Sequence, residues 1–425
     1  MCQTSEQAAS DGFPSPPLMF SYSLLPAQPR RHCQSNCVNY RASYATLESI
    51  VAAVAQPLRP FFPATPNTVL TKGAPVPELF HAIDPLKDPR WEEFVQRHPR
   101  SSIFHTTAWL SALQRSYGYE PLAFTSSPDG TPLRNGVVFS RVSSWLVRPR
   151  LVGLPFSDHA DPLLNNDSEL ADLFAFLERG QAEGKWRKIE LRPMQPGSPF
   201  VDWAKFRDGR KYLLHTLDLQ PNLEQLFRAL HKDSIQRKIR RAAREGLSYE
   251  EGRSESLLRT FYALTALTRR RQSLPPPPFA WFKNVLACLG DRALIRVARK
   301  NAKPIAAIFT LRHKDTVVYK YGCSDARFHN LGGVPFLLWK TIEDAKRLGA
   351  TTVDFGRSDS DNDGLITFKE RFGARSSFLI YKTYPQGRVG LHSELWQERA
   401  AKRVFALLPQ KVLVLVGGLV YPHIG

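Results

Sequence analysis

The chain has 425 residues, 43% of them hydrophobic, with a formal net charge of +19 and a pI near 9.9. That is enough length and apolar content for two globular domains plus extensions. Five cysteines (Cys2, Cys33, Cys37, Cys288, Cys323) exclude a disulfide framework in so long a chain, and the cationic excess favours anionic partners: RNA, phosphate-bearing precursors or an anionic membrane surface. Cys33 and Cys37 have His32 beside them but no second ligand pair at zinc spacing, so no metal is expected there. No segment shows basic, apolar and cleavage regions in order, so a cytoplasmic, reducing location is expected.

Residues 1–75 carry ten prolines and only eight charged residues, and they read as a disordered Pro-rich arm. Within it, Tyr44–Val54 has the pattern of a short helix that Pro57, Pro60, Pro63 and Pro66 end. A first domain is expected over 76–210. It opens with a short helix at Asp88–Arg97. A second helix follows, N-capped by Thr106 or Thr107, with Trp109, Leu110, Leu113 and Tyr117 on its inner face and Gly118 at its end. Strands EPLAFTS, NGVVFSRV and RLVGLPF come next, then a helix from Ser168 to Glu183 and the strand KIELRPM. Alternation of helix and strand predicts an α/β class.

The second domain is expected over 211–390. Asn222–Leu230 and Ser234–Glu245 read as amphipathic helices. The second of these sets Ile235, Ile239 and Ala242 inward and Arg237, Lys238, Arg241 and Arg244 outward. That outer face is either a solvated surface or a platform for phosphates, which guanidinium groups pair with well. A helix at Ser254–Arg270, the loop LPPPP, another helix and three strands follow, with Tyr319 and Tyr321 suited to a central sheet. Asn330, Gly332 and Gly333 then feed a helix that ends at Gly349. Residues 391–425 form a tail whose apolar run, Lys411–Tyr421, is too short to span a bilayer and is expected to pack on the core or to touch a membrane interface.

After the strand at Val353 and Phe355 come an acidic polar loop, Ser358 to Asp363, and a basic-aromatic segment with about one helical turn at Phe368–Arg371 before Gly373. Asp359, Asp361, Asp363, Gly364 and Glu370 fit the calcium-loop spacing D-x-D-x-D-G-x5-E in full. Such a loop needs a helix on both sides, and TTVDFG upstream reads as strand. No metal is expected.

The residues Asp354, Phe355, Gly356, Arg357, Ser358, then Phe368, Lys369, Gly373 and Ala374, agree in order with the second-domain signature of the FemAB-like transferases. The segments IFHTTAWLSAL and LPFSDHADPLL resemble parts of that family's first domain. The resemblance covers about residues 80–385. It implies two tandem GNAT-like (acyl-CoA N-acyltransferase-like) domains with a cleft between them. It also implies transfer of an amino acid from aminoacyl-tRNA, without a cofactor, to an amine of a peptidoglycan or lipid-linked precursor peptide. Lys369, flanked by Phe368, is then expected to stabilise developing charge. Arg357, Asp158, His159 and Tyr321 would line the cleft, and Arg237, Lys238 and Arg241 would meet phosphates. GNAT domains hold the pyrophosphate of acyl-CoA at a glycine-bearing helix start, and the spacing around Gly332 departs from that pattern. Two alternatives stay open: an acyl-CoA-dependent N-acyltransferase acting on a sugar or exopolysaccharide, and a non-catalytic basic protein associated with RNA or membrane.

Overall fold

The computed structural model of the chain describes residues 80–143, 149–194, 203, 205–385 and 402–423. The arm expected at 1–75, and the expected tail helix before residue 402, lie outside the described residues. The described residues all belong to one compact unit.

In the first half, strands β1 (His81–Ile83), β2 (Glu120–Thr125), β3 (Val137–Val142), β4 (Arg150–Val152) and β5 (Ile189–Leu191) accompany helices α1 (Pro89–Arg97), α2 (Thr107–Tyr117) and α3 (Asp167–Ala182). The helix starts follow side-chain caps. Asp88 accepts from Arg90 N–H, Thr106 from Trp109 N–H and Asn166 from Glu169 N–H. Asn166 caps α3 in place of the expected Ser168, because its oxygen reaches the third helical amide and the helix starts two residues earlier.

The second half begins with the long strand β6 (Arg207–Asp218), and the boundary expected at 210–211 falls inside it. Next come α4 (Leu223–Ala229), α5 (Arg237–Arg244), β7 (Ser248–Gly252), α6 (Glu255–Arg271), α7 (Phe279–Leu289), β8 (Ala293–Lys300), β9 (Lys303–His313) and β10 (Thr316–Ser324). Helix α8 (Gly333–Arg347), β11 (Thr352–Asp359), α9 (Asp363–Glu370) and β12 (Arg375–Tyr384) complete the half, and α10 (Gln410–Val420) lies near the C-terminus. The basic helix is shorter than its periodicity suggests, because Lys232–Gln236 forms a π-helical turn before α5.

All twelve strands join one sheet in the order β1-β2-β3-β4-β5-β12-β6-β11-β10-β9-β8-β7. Two parallel pairs interrupt an otherwise antiparallel ladder: β4 with β5, and β10 with β11. The β10–β11 ladder runs from Thr316–Thr352 to Val318–Asp354 and ends there. Strand alternation feeds two cores at once. On β9, Ala307, Phe309 and Leu311 join a core built with α1, α2, α6 and α7, whereas Ala306 and Ile308 join one built with α4, α5 and α8. The first of these cores crosses from one half to the other, with Trp109 of α2 edge-on to Trp281 of α7 at 5.2 Å. A third core sits under α3. The halves therefore share both a sheet and a core, and the groups near their junction are held rigidly.

Candidate active site

The junction is organised around a bulge in β11. Val353 and Phe355 enter the core, and the ladder to β6 slips between Asp354 and Arg357. Gly356 occupies the slip with φ +70°, and its N–H donates to Asp354 Oδ1 at 2.7 Å. A Cβ there would lie 3.1 Å from Asp158 Oδ2, so both the left-handed backbone and the close approach call for glycine.

Asp158 and His159 arrive from the loop after β4. Two residues of that loop, Leu154 and Phe156, hold positive φ (56° and 60°), a strained backbone for bulky side chains. Arg192 fixes it, donating to the carbonyls of Leu154 (2.8 Å) and Ser157 (3.1 Å) while pairing with Glu190 at 2.8 Å. The loop thereby delivers Asp158 to Lys320 Nζ at 2.9 Å and Arg357 Nε at 3.9 Å. Burial opposes the charge of Asp158, but Lys320 and then Arg357 outweigh it and hold the carboxyl below its ordinary range. Arg357 lies over the Tyr212 ring at 4.1 Å and donates to the Tyr381 hydroxyl, which donates to the Asp158 carbonyl at 2.9 Å. His159 Nε2 meets Asp354 Oδ2 at 3.1 Å, and both side chains are buried. Burial works against the imidazolium, yet the hydrogen bond and charge of Asp354 prevail and raise its pKa above 6.5.

Lys369 is 2% exposed. A lysine that follows a sheet strand and a polar loop is expected at the mouth of the cleft between the domains, in the open. Instead α9 starts soon after β11, where Asn362 caps Leu365 N–H, and turns back to carry Lys369 over the bulge. Its Nζ donates to the carbonyls of Gly356 (2.9 Å) and Arg357 (2.8 Å). Burial lowers its pKa to about 8, with Asp158 and Asp354 resisting the shift and Lys320 and Arg357 adding to it. On the adjoining stretch of β6, His215 is fully buried with neither ring nitrogen partnered, and burial together with Lys369 lowers its pKa to about 4. The cluster thus gathers Lys320, Lys369 and the partly exposed Arg357, with His159, around two carboxylates, Asp158 and Asp354. A surplus positive charge in a low-dielectric site favours an anion or a developing oxyanion.

Asp158, His159, Arg357 and Lys369 therefore come together. Tyr321 stands at their margin: its hydroxyl accepts from Trp281 Nε1 at 2.9 Å, and Lys320 Nζ lies 5.7 Å from its ring. Phe368 points the other way, packing on Phe372 at 5.2 Å. With Lys238, Ser234 and Arg371 it lines a surface depression of about 430 Å³. Arg237 and Arg241 do not line that depression; Arg237 is exposed and Arg241 lies 3.6 Å from Glu245. Sequence reasoning missed Lys320, Arg192, Tyr212, Tyr381 and His215 as site residues.

Two further sites bear on ligands. The calcium spacing is broken by secondary structure, since Asp359 ends β11 while Asp363, Gly364 and Glu370 lie within α9. Among the described residues no group of three or more His, Cys, Asp or Glu is placed to hold a metal ion. At the start of α8, Gly332 has φ +75°, and its N–H is already donated to the His329 carbonyl. A Cβ on Gly332 would lie 2.8 Å from both the Cβ and the carbonyl oxygen of Lys238, and Pro335 contributes no N–H to the first turn.

The family model described as Acetyltransferase (GNAT) domain matches residues 229–370. Among solved structures, the chain is similar to the crystal structure of FemX, with a TM-score of 0.57 and 16% identity over 72% of this chain and 97% of that one. It also matches a tandem GNAT protein from the clavulanic acid biosynthesis pathway (TM-score 0.48, 12% identity, 73% and 99% covered). A third match is L-PGS from Bacillus licheniformis (TM-score 0.47, 15% identity, 76% and 98% covered). No curated protein matches the sequence. The chain has the FemAB-like fold of two GNAT domains in tandem, and its second half carries a GNAT acyltransferase domain.

Proposed function

We propose that this acyltransferase moves an amino acid from aminoacyl-tRNA onto an amine of a peptidoglycan or lipid-linked precursor peptide. The observation that carries the choice of donor is the crowding at Gly332. A GNAT domain that uses acyl-CoA holds its pyrophosphate on the amides at this helix start. Here the backbone of Lys238 stands against the glycine, and one of the remaining amide positions is a proline. The resemblance of the Asp354–Ala374 motif to the FemAB-like signature supports the same donor.

The reaction needs no covalent intermediate. The acceptor amine attacks the ester carbonyl carbon, a C–N bond forms, the ester C–O bond breaks, and the departing ribose oxygen takes up the proton that the amine releases. Lys369, charged below about pH 8, supplies positive charge to the carbonyl oxygen as it becomes an oxyanion. Arg357 and Lys320 fix Asp158 and thereby the loop that faces Lys369. The cysteines described are poor nucleophiles: burial pushes the Cys323 thiol up to about 12 and also raises that of Cys288. That agrees with direct transfer.

The test is transfer by purified protein from charged tRNA and, separately, from acetyl-CoA to an amine-bearing precursor peptide. Product from charged tRNA alone is expected. Product from acetyl-CoA alone overturns the assignment in favour of an acyl-CoA-dependent enzyme, and no product from either donor favours a non-catalytic basic protein.

A further inference from the structure

Helix α10 presents two faces of different character. Its inner face is fully engaged. Leu413 and Gly417 are buried, and Gly417 lies so close to the Pro276 carbonyl that a Cβ would collide with it. Just beyond the helix, the Tyr421 ring stacks on Phe156 at 5.6 Å, and the Tyr421 carbonyl accepts from the Tyr119 hydroxyl at 3.0 Å. Arg150 donates to the His423 carbonyl at 3.1 Å. These contacts account for the docking of α10 without help from the opposite side.

The outer face nevertheless carries large apolar side chains. Leu415 and Leu419, four residues apart and opposite Leu413 and Gly417, are 69% and 66% exposed. Leu407, in the helical run at 402–407 just before α10, is 85% exposed, and Val404 of the same run is 37% exposed. Exposed leucines gathered on one segment mark an interaction surface. Their surroundings indicate what covers them. Lys402, Arg403 and Lys411 are exposed among them, and residues 402–423 contain no acidic side chain. A second copy of the chain would bring like charges face to face, whereas an anionic surface would attract them. No helix among the described residues is long and apolar enough to cross a membrane.

We propose that the outer face of residues 402–420 docks on a bilayer containing anionic phospholipid, with Leu407, Leu415 and Leu419 entering the headgroup boundary and Lys402, Arg403 and Lys411 meeting lipid phosphates. The segment lies in the interface and does not span it. Apolar burial and charge attraction act together in such a surface, and neither suffices alone. The docking is independent of which donor the active site uses. If the acceptor is lipid-linked, it holds the enzyme at the surface where the acceptor resides.

Sedimentation with phosphatidylcholine vesicles, with and without phosphatidylglycerol, tests this on the full chain. Wild type is expected to bind the anionic vesicles. Leu415→Asp combined with Leu419→Asp should weaken that binding by about tenfold or more, the scale of withdrawing a few buried methylenes from lipid. The melting temperature reports whether this variant folds. If it falls, Lys402→Glu combined with Lys411→Glu carries the test through the same loss of binding. Binding unchanged in the variants assigns the attraction to cations elsewhere and overturns the proposal. So does absence of vesicle binding by wild type, including the case in which wild type self-associates and the leucine variant does not.

Discussion

The two crossover helices, α3 in the first half and α8 in the second, occupy equivalent places between the strands of a parallel pair, and their N-termini differ. Helix α3 begins with an Asn166 cap and carries Asp167 and Glu169 in its first turn, so its end is satisfied and repels anions. Helix α8 begins at a left-handed glycine with no side-chain cap and no acidic residue in its first turn. The halves divide the work accordingly. The first half contributes a braced loop bearing Asp158 and His159, while the second contributes Lys320, Asp354, Arg357 and Lys369. The first half thus acts as a support that aims a carboxylate and an imidazole into the second.

The largest expected effect comes from breaking the second half's chemistry. Lys369→Met should lower the catalytic constant by about 10²-fold or more, the scale of one lost electrostatic donor, with a smaller effect on substrate affinity. Wild-type turnover should decline as pH rises through about 8, where Lys369 loses its proton, and the variant should lack that limb. Near-normal turnover in the variant would remove Lys369 from the mechanism.

The bridge between the halves comes next. Asp158→Asn leaves Lys320 buried without its carboxylate, a loss of about 3–5 kcal/mol by analogy with other broken buried pairs. Denaturant unfolding would read it, and a loss below 1 kcal/mol, the range of an exposed pair, would mean that water reaches the cluster.

The helix starts can then be compared directly. Gly332→Ala adds a Cβ against Lys238 at a positive φ and should cost about 1–3 kcal/mol. Asn166→Ala removes one cap and should cost about 1 kcal/mol. Equal losses would show that Lys238 gives way easily, which would reopen the α8 end to a pyrophosphate.

The smallest effect is a pH dependence. His159 holds its proton more tightly folded than unfolded, so the stability it contributes is fully present below pH 6.5 and is lost as pH rises through its raised folded value. The stability difference between wild type and His159→Gln should therefore shrink between pH 6 and the alkaline side. A difference that grows would show that His159 is buried neutral.

Much of this site was legible where its residues are contiguous. Asp354 to Arg357 and Phe368–Lys369 form a local signal, and Asp158 and His159 stand in a polar loop between strands. Lys320 was not legible. It sits between two tyrosines on β10, where alternation would put a lysine in solvent, but the ladder to β9 slips at that point and its partner Asp158 is 162 residues away. Only the last turn of α9 is legible in the sequence, because Asp, Asn and Gly before it favour turns. The overlooked signal was Asn362, placed three residues before Leu365 as a cap. Phe368 and Lys369 are adjacent in sequence and so lie on different sides of α9, which separates two residues the motif presents as a unit.

Strand β12 has a consequence for biogenesis. It is the last strand of the second half, yet it lies between β5 and β6 and supplies both with their ladder partners. While a ribosome is still making the chain, the first half emerges with the β5 edge bare, and it stays bare until Arg375–Tyr384 has been synthesised. The first half cannot cover its β5 edge alone, so the pairing that joins the halves is a late event of high sequence separation. A nascent chain that stalls before residue 375 presents two open strand edges to its neighbours in the cell.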